Sequence, residues 1–159
     1  MASHTKNNER VVLGPGEGRV VRIPGHPATL KTDRTNTRGA YTLAEMVVTS
    51  QGPPQHIHHD CEEAFYVLEG EIEVRVGERT VHATAGSFVL IPRGTVHAFR
   101  GLRDTPAKIL VIVSPSGLEK FFDEVVGNDE IDLPTFARRV AIAAPKYGME
   151  IVGPPLGSE

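Results

Sequence analysis

Several residue types are scarce in this chain of 159 residues, which has one cysteine, no tryptophan and no long apolar run. A single thiol excludes paired-cysteine zinc sites, the thioredoxin motif and a disulfide framework. No run approaches the ~18 apolar residues of a membrane-spanning helix, and no secretory-type apolar segment stands near the first residue. The formal net charge is -3 and there is no basic block. We therefore expect a cytoplasmic protein with neither nucleic acid nor a membrane as its partner.

Histidine is the residue type whose pattern is informative. His56 and His58 alternate within a predicted strand, which places both imidazoles on one face. A carboxylate follows at Glu62 or Glu63, and His97 comes after a Pro-Arg-Gly turn in a later apolar run. A sheet that curls back on itself could bring His97 to the same point. Three imidazoles and one carboxylate suit a divalent transition metal, and Fe, Mn, Ni, Co, Cu and Zn all remain open.

The first histidine segment resembles a motif of the cupin superfamily, G(x)5HxH(x)3-4E(x)6G. His56-x-His58, four residues, Glu63, six residues and Gly70 fit this motif. The one departure is the leading glycine, which stands at Gly52 instead of position 50. The resemblance therefore selects Glu63 as the carboxylate ligand.

The later segment resembles the second cupin motif, G(x)5PxG(x)2H(x)3N. Gly86, five residues, Pro92-x-Gly94, two residues and His97 fit it, while Gly101 occupies the position of the asparagine. Neither departure touches a metal ligand, and the two motifs are separated by 15 residues. The resemblance implies an RmlC-like cupin that holds one divalent transition metal ion per chain through His56, His58, Glu63 and His97.

Two further stretches, EEAFYVLEGE and KYGMEIVGPP, resemble small bacterial single-domain cupins that are similar to quercetin 2,3-dioxygenase. This resemblance implies a metal-dependent dioxygenase that uses dioxygen and a flavonol-like or other enolisable or phenolic small molecule. Glu63 would then be both a metal ligand and the catalytic base. Two other functions remain open: a metal-dependent isomerase, cyclase or decarboxylase that does not use oxygen, and a non-enzymatic cupin that binds a small molecule.

The hydrophobic pattern predicts an all-β domain followed by helices. Up to residue 115, short β-branched runs between closely spaced turn signals are typical of a jelly-roll β-barrel. Beyond it the period changes towards 3.6, and Ser116 and Glu119 have the spacing of a capping box. We predict a flexible segment over 1–10, a cupin jelly-roll barrel over 11–115, and a C-terminal extension with two α-helices over 116–159.

The apolar content of the first strands and of the C-terminal segment exceeds what one small barrel covers. This excess favours a homodimer. The two helices could lie over the barrel mouth, at a contact with a second subunit, or simply against a sheet. The pattern does not separate these arrangements.

Four aromatic residues are candidates for the substrate pocket. Phe99 lies two residues after the histidine of the second motif and shares its face, while Phe65 and Tyr66 alternate after the glutamate of the first motif. Tyr41 belongs to one of the two faces of an alternating strand, and the pattern does not say which face is interior. The predicted pocket set is Tyr41, Phe65, Tyr66 and Phe99.

The other histidines and the cysteine have simpler interpretations. His26 stands between a glycine and a proline and is predicted to be a turn residue. His59 points away from its neighbour on an extended strand, and His82 has no place in either motif. Cys61 lies near the ligands, but the motif already supplies four donors without it.

Overall fold

The computed structural model describes residues 11–158, so the segment 1–10, predicted to be flexible, lies outside the described residues. Within 11–158 the chain forms eleven β-strands, two α-helices and one 3-10 helix. The strands are β1 Arg19–Val21, β2 Ala28–Thr32, β3 Thr42–Val48, β4 Pro54–His58, β5 Glu62–Glu69, β6 Glu71–Val76, β7 Arg79–Thr84, β8 Phe88–Ile91, β9 His97–Gly101, β10 Ala107–Ser114 and β11 Met149–Pro155. The helices are α1 Leu118–Val125 and α2 Leu133–Ala143, and the 3-10 helix is Ala144–Tyr147.

Two antiparallel sheets share one core. The six-stranded sheet has the order β1-β2-β3-β10-β5-β8, and the five-stranded sheet has the order β11-β4-β9-β6-β7. Side chains from both sheets meet in a single apolar cluster, whose fully buried members include Phe65, Val67, Ile72, Val74 and Ile109. The predicted all-β jelly-roll architecture with two C-terminal α-helices is confirmed.

The alternation of side chains along β3 and β5 determines what faces the interior. On β3 the buried residues are Thr42, Ala44, Met46 and Val48. On β5 the buried residues are Glu63, Phe65 and Val67. Adjacent side chains of a strand point to opposite faces, so Glu62 and Tyr66 lie on the other side of β5 from Glu63. This parity decides which of the two neighbouring carboxylates can join a buried site.

Apolar residues of four strands lie next to one another on the outward side of the six-stranded sheet, and we call this group the apolar sheet face. Tyr66 lies opposite Phe88, and Ala64 lies opposite Leu90, across the β5–β8 pair. Phe88 is 63% exposed and Leu90 is 52% exposed. Leu110 and Ile112 of β10 extend the same rows on the other side of β5. The full set is Leu43, Ala64, Tyr66, Phe88, Leu90, Leu110 and Ile112.

The start of α1 differs from the predicted capping box. Gly117 is the N-cap residue, and it has no side chain that could cap the helix. The buried Glu119 carboxylate instead accepts hydrogen bonds from the Thr42 hydroxyl at 2.7 Å and from the backbone N–H groups of Gly117 at 2.9 Å and Arg34 at 3.0 Å. The prediction is therefore wrong for Ser116, whereas Glu119 does bond the backbone N–H of the N-cap residue and also attaches the helix to β3 and to the loop before it.

The helical prediction for 116–159 is incomplete, because this segment also contains β11. Gly148 adopts a left-handed φ of 65° and ends the 3-10 helix. The chain then pairs with β4, with Met149 opposite His58 and Ile151 opposite His56. The C-terminal strand therefore covers the edge of the strand that carries the first two histidines. Neither described helix has the length and apolar composition needed to cross a membrane.

Candidate metal centre

Three strands from the two sheets bring the predicted ligands together. His56 and His58 are on β4, and His97 is on β9, directly opposite His56 in the β4–β9 pair. Glu63 comes from β5 of the six-stranded sheet, because the chain crosses between the sheets after His58. All four side chains are at most 7% exposed. The strand period of two explains why His56 and His58 both face inward.

The donor atoms of these four residues lie close enough to share one ion. His97 Nε2 is 2.9 Å from Glu63 Oε2, and His58 Nε2 is 3.4 Å from the same oxygen. The rings of His56 and His97 have centroids 4.2 Å apart. All four ligand atoms lie within 4.8 Å of one another. Two ligands at about 2.1 Å from one ion can be at most about 4.2 Å apart, so these four residues would need only small inward shifts to hold one ion.

The second nitrogen of two rings is already in use. His56 Nδ1 lies 2.7 Å from the carbonyl oxygen of Pro54, and His97 Nδ1 lies 3.0 Å from that of Thr95. A carbonyl can only accept, so each Nδ1–H donates to it and the Nε2 atom is left for a ligand. This is the arrangement that orients metal-binding histidines in proteins. The residues present therefore fit a divalent transition metal.

The electrostatics of the cluster also suit a cation. Burial alone would raise the pKa of Glu63, but hydrogen bonds and charges from His58 and His97 outweigh it and hold this pKa well below its ordinary value. Burial lowers the pKa of His97, yet the Glu63 carboxylate more than compensates and raises it. Burial, with the charges of His97 and His58, lowers the pKa of His56 to about 3. At neutral pH the cluster therefore presents an ionised carboxylate and a neutral His56.

The cluster forms part of the wall of a small cavity between the sheets, which we call the inner cavity. Its volume is 70 Å³. His56, His58 and Glu63 line it together with apolar residues of both sheets, and Leu118 and Phe122 of α1 also reach it. Helix α1 thus covers one side of the inner cavity.

The four predicted pocket residues have different positions. Phe99 lines the inner cavity, and Phe65 is fully buried behind it, with ring centroids 5.0 Å apart. Tyr41 and Tyr66 are 41% and 45% exposed and do not line it. Tyr66 has the outward parity on β5, and Tyr41 directly precedes β3, whose first residue Thr42 faces inward. Phe99 is thus the member of the set that reaches the cavity.

Sequence reasoning missed His26, which it assigned to a turn. The ring is 4% exposed, lines the inner cavity and packs edge-to-face on Phe99 with centroids 5.7 Å apart. The preceding Gly25 has a left-handed φ of 81°, and a side chain there would overlap the Gln51 carbonyl. The glycine thus lets the turn approach residue 51 closely. That glycine is the one local signal, and it does not reveal the inward direction of His26.

The remaining candidates lie outside the cluster. His59 is paired with Glu150 at 2.9 Å and His82 with Glu71 at 3.1 Å, and both histidines are exposed. Cys61 is partly buried, and burial together with the Glu63 charge raises the pKa of its thiol to about 12. Cys61 is not among the four residues whose donor atoms lie within 4.8 Å of one another.

Comparisons with known proteins agree with the fold. A family model described as a cupin domain matches residues 43–113, which run from β3 to β10 and contain all four clustered residues. The chain is 29% identical over 116 residues to quercetin 2,3-dioxygenase of Bacillus subtilis, covering 70% of this chain and 33% of that protein. It is 30% identical over 83 residues to an uncharacterized protein of Streptomyces coelicolor, covering 52% of this chain and 73% of that protein. An RmlC-like cupin structure from Shewanella frigidimarina superposes with a TM-score of 0.59 at 18% identity, covering 70% of this chain and 96% of that one.

The fold and the buried cluster together define a two-sheet β protein with three histidines and one glutamate placed as in a metal centre. The chain contains a cupin domain over residues 43–113. Its similarity to quercetin 2,3-dioxygenase is distant, and the chain spans 33% of the length of that relative.

Proposed function

We propose that this protein is a metal-dependent dioxygenase that acts on a flavonol-like or other enolisable or phenolic small molecule. The observation that carries the proposal is the burial of three imidazoles and one carboxylate, all at most 7% exposed, beside an apolar cavity. The similarity to quercetin 2,3-dioxygenase of Bacillus subtilis supports it. A divalent ion held by these residues would supply a Lewis acid for an enolate or phenolate oxygen and a centre for redox chemistry.

Glu63 is the residue that takes the proton of the substrate hydroxyl. Its pKa lies well below the ordinary value, so the carboxylate is ionised, and it lines the inner cavity. A second buried carboxylate, Glu119, also lines this cavity, but its oxygens already accept hydrogen bonds from Thr42, Gly117 and Arg34. The two carboxylates therefore have separate roles: Glu119 attaches helix α1, and Glu63 accepts the proton.

The walls of the inner cavity limit access of water to the reacting atoms. Val21, Ile23, Val111 and Val113 line the cavity and are all at most 4% exposed. Charges and hydrogen bonds are stronger in such an apolar enclosure than in bulk water. The interactions of Glu63 with His58 and His97 are therefore stronger in this enclosure than they would be in water.

Oxygen consumption tests the proposal. Wild-type protein loaded separately with Fe, Mn, Ni, Co, Cu or Zn is incubated with a panel of flavonols, phenols and 1,3-diketones. We expect at least one combination to consume dioxygen in proportion to substrate loss. Substrate loss without oxygen uptake would contradict dioxygenase activity and indicate an isomerase, cyclase or decarboxylase. Binding without any turnover would instead identify a non-enzymatic small-molecule-binding cupin.

A further inference from the structure

A second, larger space lies beside the inner cavity, and we call it the outer groove. It has a volume of 1120 Å³ and lies between the loop 50–54, helix α2 and strand β11. The inner cavity, by contrast, holds 70 Å³. Pockets for drug-sized molecules have volumes of about 300–1,000 Å³. A substrate of flavonol size therefore does not fit in the inner cavity alone, whereas the outer groove has ample room for it.

Among the described residues, three line both spaces: His26, Pro53 and Met149. We call these three residues the neck. His26 is 4% exposed and Met149 is 6% exposed, so both side chains are buried between the two spaces. On its inner side lie His56, His58 and Glu63 of the candidate metal centre. A molecule in the outer groove is therefore separated from that centre by one layer of side chains.

His26 carries a buried polar atom that the fold leaves unpaired. Its Nδ1 has no hydrogen-bond partner among residues 11–158. Backbone groups of Gln51 and Pro24 also interact with the ring, and a neutral imidazole keeps one nitrogen that can accept a hydrogen bond. Buried polar atoms are nearly always paired in proteins, and an exception calls for an explanation. A ligand hydroxyl at the neck would supply the missing donor.

The chemistry of the outer groove favours an aromatic body. Its apolar wall comes from α2, the 3-10 helix and β11, chiefly Phe136, Val140, Ala144 and Ile151. The polar side chains that line it include Arg100, which is paired with Glu73 at 3.0 Å. A flat apolar molecule with few polar groups matches such a lining, since ligand pockets combine apolar walls with a few placed hydrogen-bonding groups.

We propose that the outer groove binds the body of a hydroxylated aromatic substrate and that His26 accepts a hydrogen bond from its hydroxyl group at the neck. Met149 is the neck residue that moves, because its side chain is unbranched and has three rotatable bonds. The reacting end of the molecule then reaches Glu63. This last step rests on the proposed function, whereas binding in the outer groove requires neither metal nor turnover.

Calorimetric titration of the metal-free protein tests the outer groove. The probes are 3-hydroxyflavone and flavone, which differ by one hydroxyl group. We expect one molecule of 3-hydroxyflavone to bind per chain. Ala137→Trp places a large ring in the groove and should weaken the binding of both probes at least about tenfold. The matched control is Ile142→Trp on the same helix, since Ile142 is 66% exposed and does not line the groove.

A second pair of variants tests His26. His26→Leu should weaken the binding of 3-hydroxyflavone about tenfold and leave the binding of flavone unchanged, because one hydrogen bond is lost. His26→Gln, which restores an acceptor, should recover part of the loss. An equal loss for both probes in His26→Leu would overturn the assigned hydrogen bond, because it would reflect a change of shape.

Two further outcomes separate this inference from the proposed function. Absence of binding to the wild type, or unchanged binding in Ala137→Trp, would overturn the proposal that the outer groove binds the substrate. This holds even if a small 1,3-diketone still supports oxygen uptake. The protein could instead never consume oxygen while its binding responds to Ala137→Trp and His26→Leu as expected. That result would support binding in the outer groove and would contradict only the proposed dioxygenase activity.

Discussion

Replacement of His56 by alanine gives the sharpest test of the metal centre, because its removal exposes no unpaired charge. Burial and the neighbouring charges lower the pKa of His56 to about 3, so the ring is neutral in the metal-free protein. Its Nδ1–H donates to the Pro54 carbonyl at 2.7 Å. Removal of His97 would instead take away the 2.9 Å partner of the buried Glu63 carboxylate, which would destabilise the fold itself.

The expected effect follows from linkage between metal binding and folding. Free metal at 100 times its dissociation constant stabilises the wild type by about 2.7 kcal/mol. For a domain of this size that raises Tm by roughly 5–11 °C, at about 2–4 °C per kcal/mol. If loss of one of the four ligands weakens binding about 100-fold, the same metal concentration stabilises His56→Ala by about 0.4 kcal/mol. The corresponding increase in Tm is about 1 °C.

The assay is thermal unfolding with and without added Ni²⁺ or Zn²⁺ after chelation, combined with elemental analysis. His59→Ala is the matched control, because His59 is adjacent to β4 but its ring is exposed and paired with Glu150. We expect His59→Ala to keep the full increase in Tm and about one ion per chain. The reasoning would be refuted by a wild type that no metal of the first transition row stabilises, or by a His56→Ala variant that keeps the wild-type response.

Four other predictions concern separate parts of the molecule. Glu63→Gln should retain metal, and its turnover should fall by about 10²–10⁴. Glu62→Gln loses only an exposed ion pair with an arginine, so its turnover should hardly change. The opposite result would identify Glu62 as the catalytic base. Burial lowers the pKa of His26 to about 4 from 6.5, so below pH 6.5 the unfolded chain binds an extra proton and the free energy of unfolding falls. Between pH 7 and pH 5, urea unfolding should show that the wild type loses about 2 kcal/mol more of this free energy than His26→Leu does. Equal losses in the two proteins would contradict this prediction. Cys61, whose pKa is raised to about 12 by burial and the Glu63 charge, should react with iodoacetamide at pH 8 at least about 100-fold more slowly than free cysteine; fast labelling would show an accessible thiolate. We propose a homodimer that buries the apolar sheet face; sedimentation should give a dimer mass for wild type and a monomer mass for Phe88→Arg, and a monomeric wild type would contradict it.

The ligand set could be predicted because it depends on local counting. A strand has a period of two, so His56 and His58 must share a face once β4 forms. The six-residue spacing to Gly70 selects Glu63, and the structure gives the physical reason. Glu63 is 6% exposed inside the barrel, while Glu62 faces outward and is bonded to Arg93 at 2.5 Å.

The parts that could not be predicted depend on contacts between distant segments. The parity of a strand leaves two choices of interior face, and only packing showed that Tyr41 lies outside while its neighbour Thr42 is buried. Strand β11 pairs with β4, which is more than 90 residues earlier in the chain. His26 is buried because its turn packs on residue 51 and on Phe99. Apart from Gly25, which allows the close approach to residue 51, none of these contacts leaves a pattern in the segment that makes it.

The two departures from the cupin motifs also have a structural reason, and it connects them to the outer groove. A side chain at Gly52 would overlap the carbonyl oxygen of Phe99, and one at Gly101 would come within 2.7 Å of the carbonyl oxygen of Val48. Gly101 also donates its N–H to the Thr49 carbonyl at 2.8 Å. Both glycines thus allow the segment 48–52 to lie directly against β9. Because Gln51 and Gly52 line the outer groove beside His26, the same close approach that displaces the motif glycine also forms a wall of the groove.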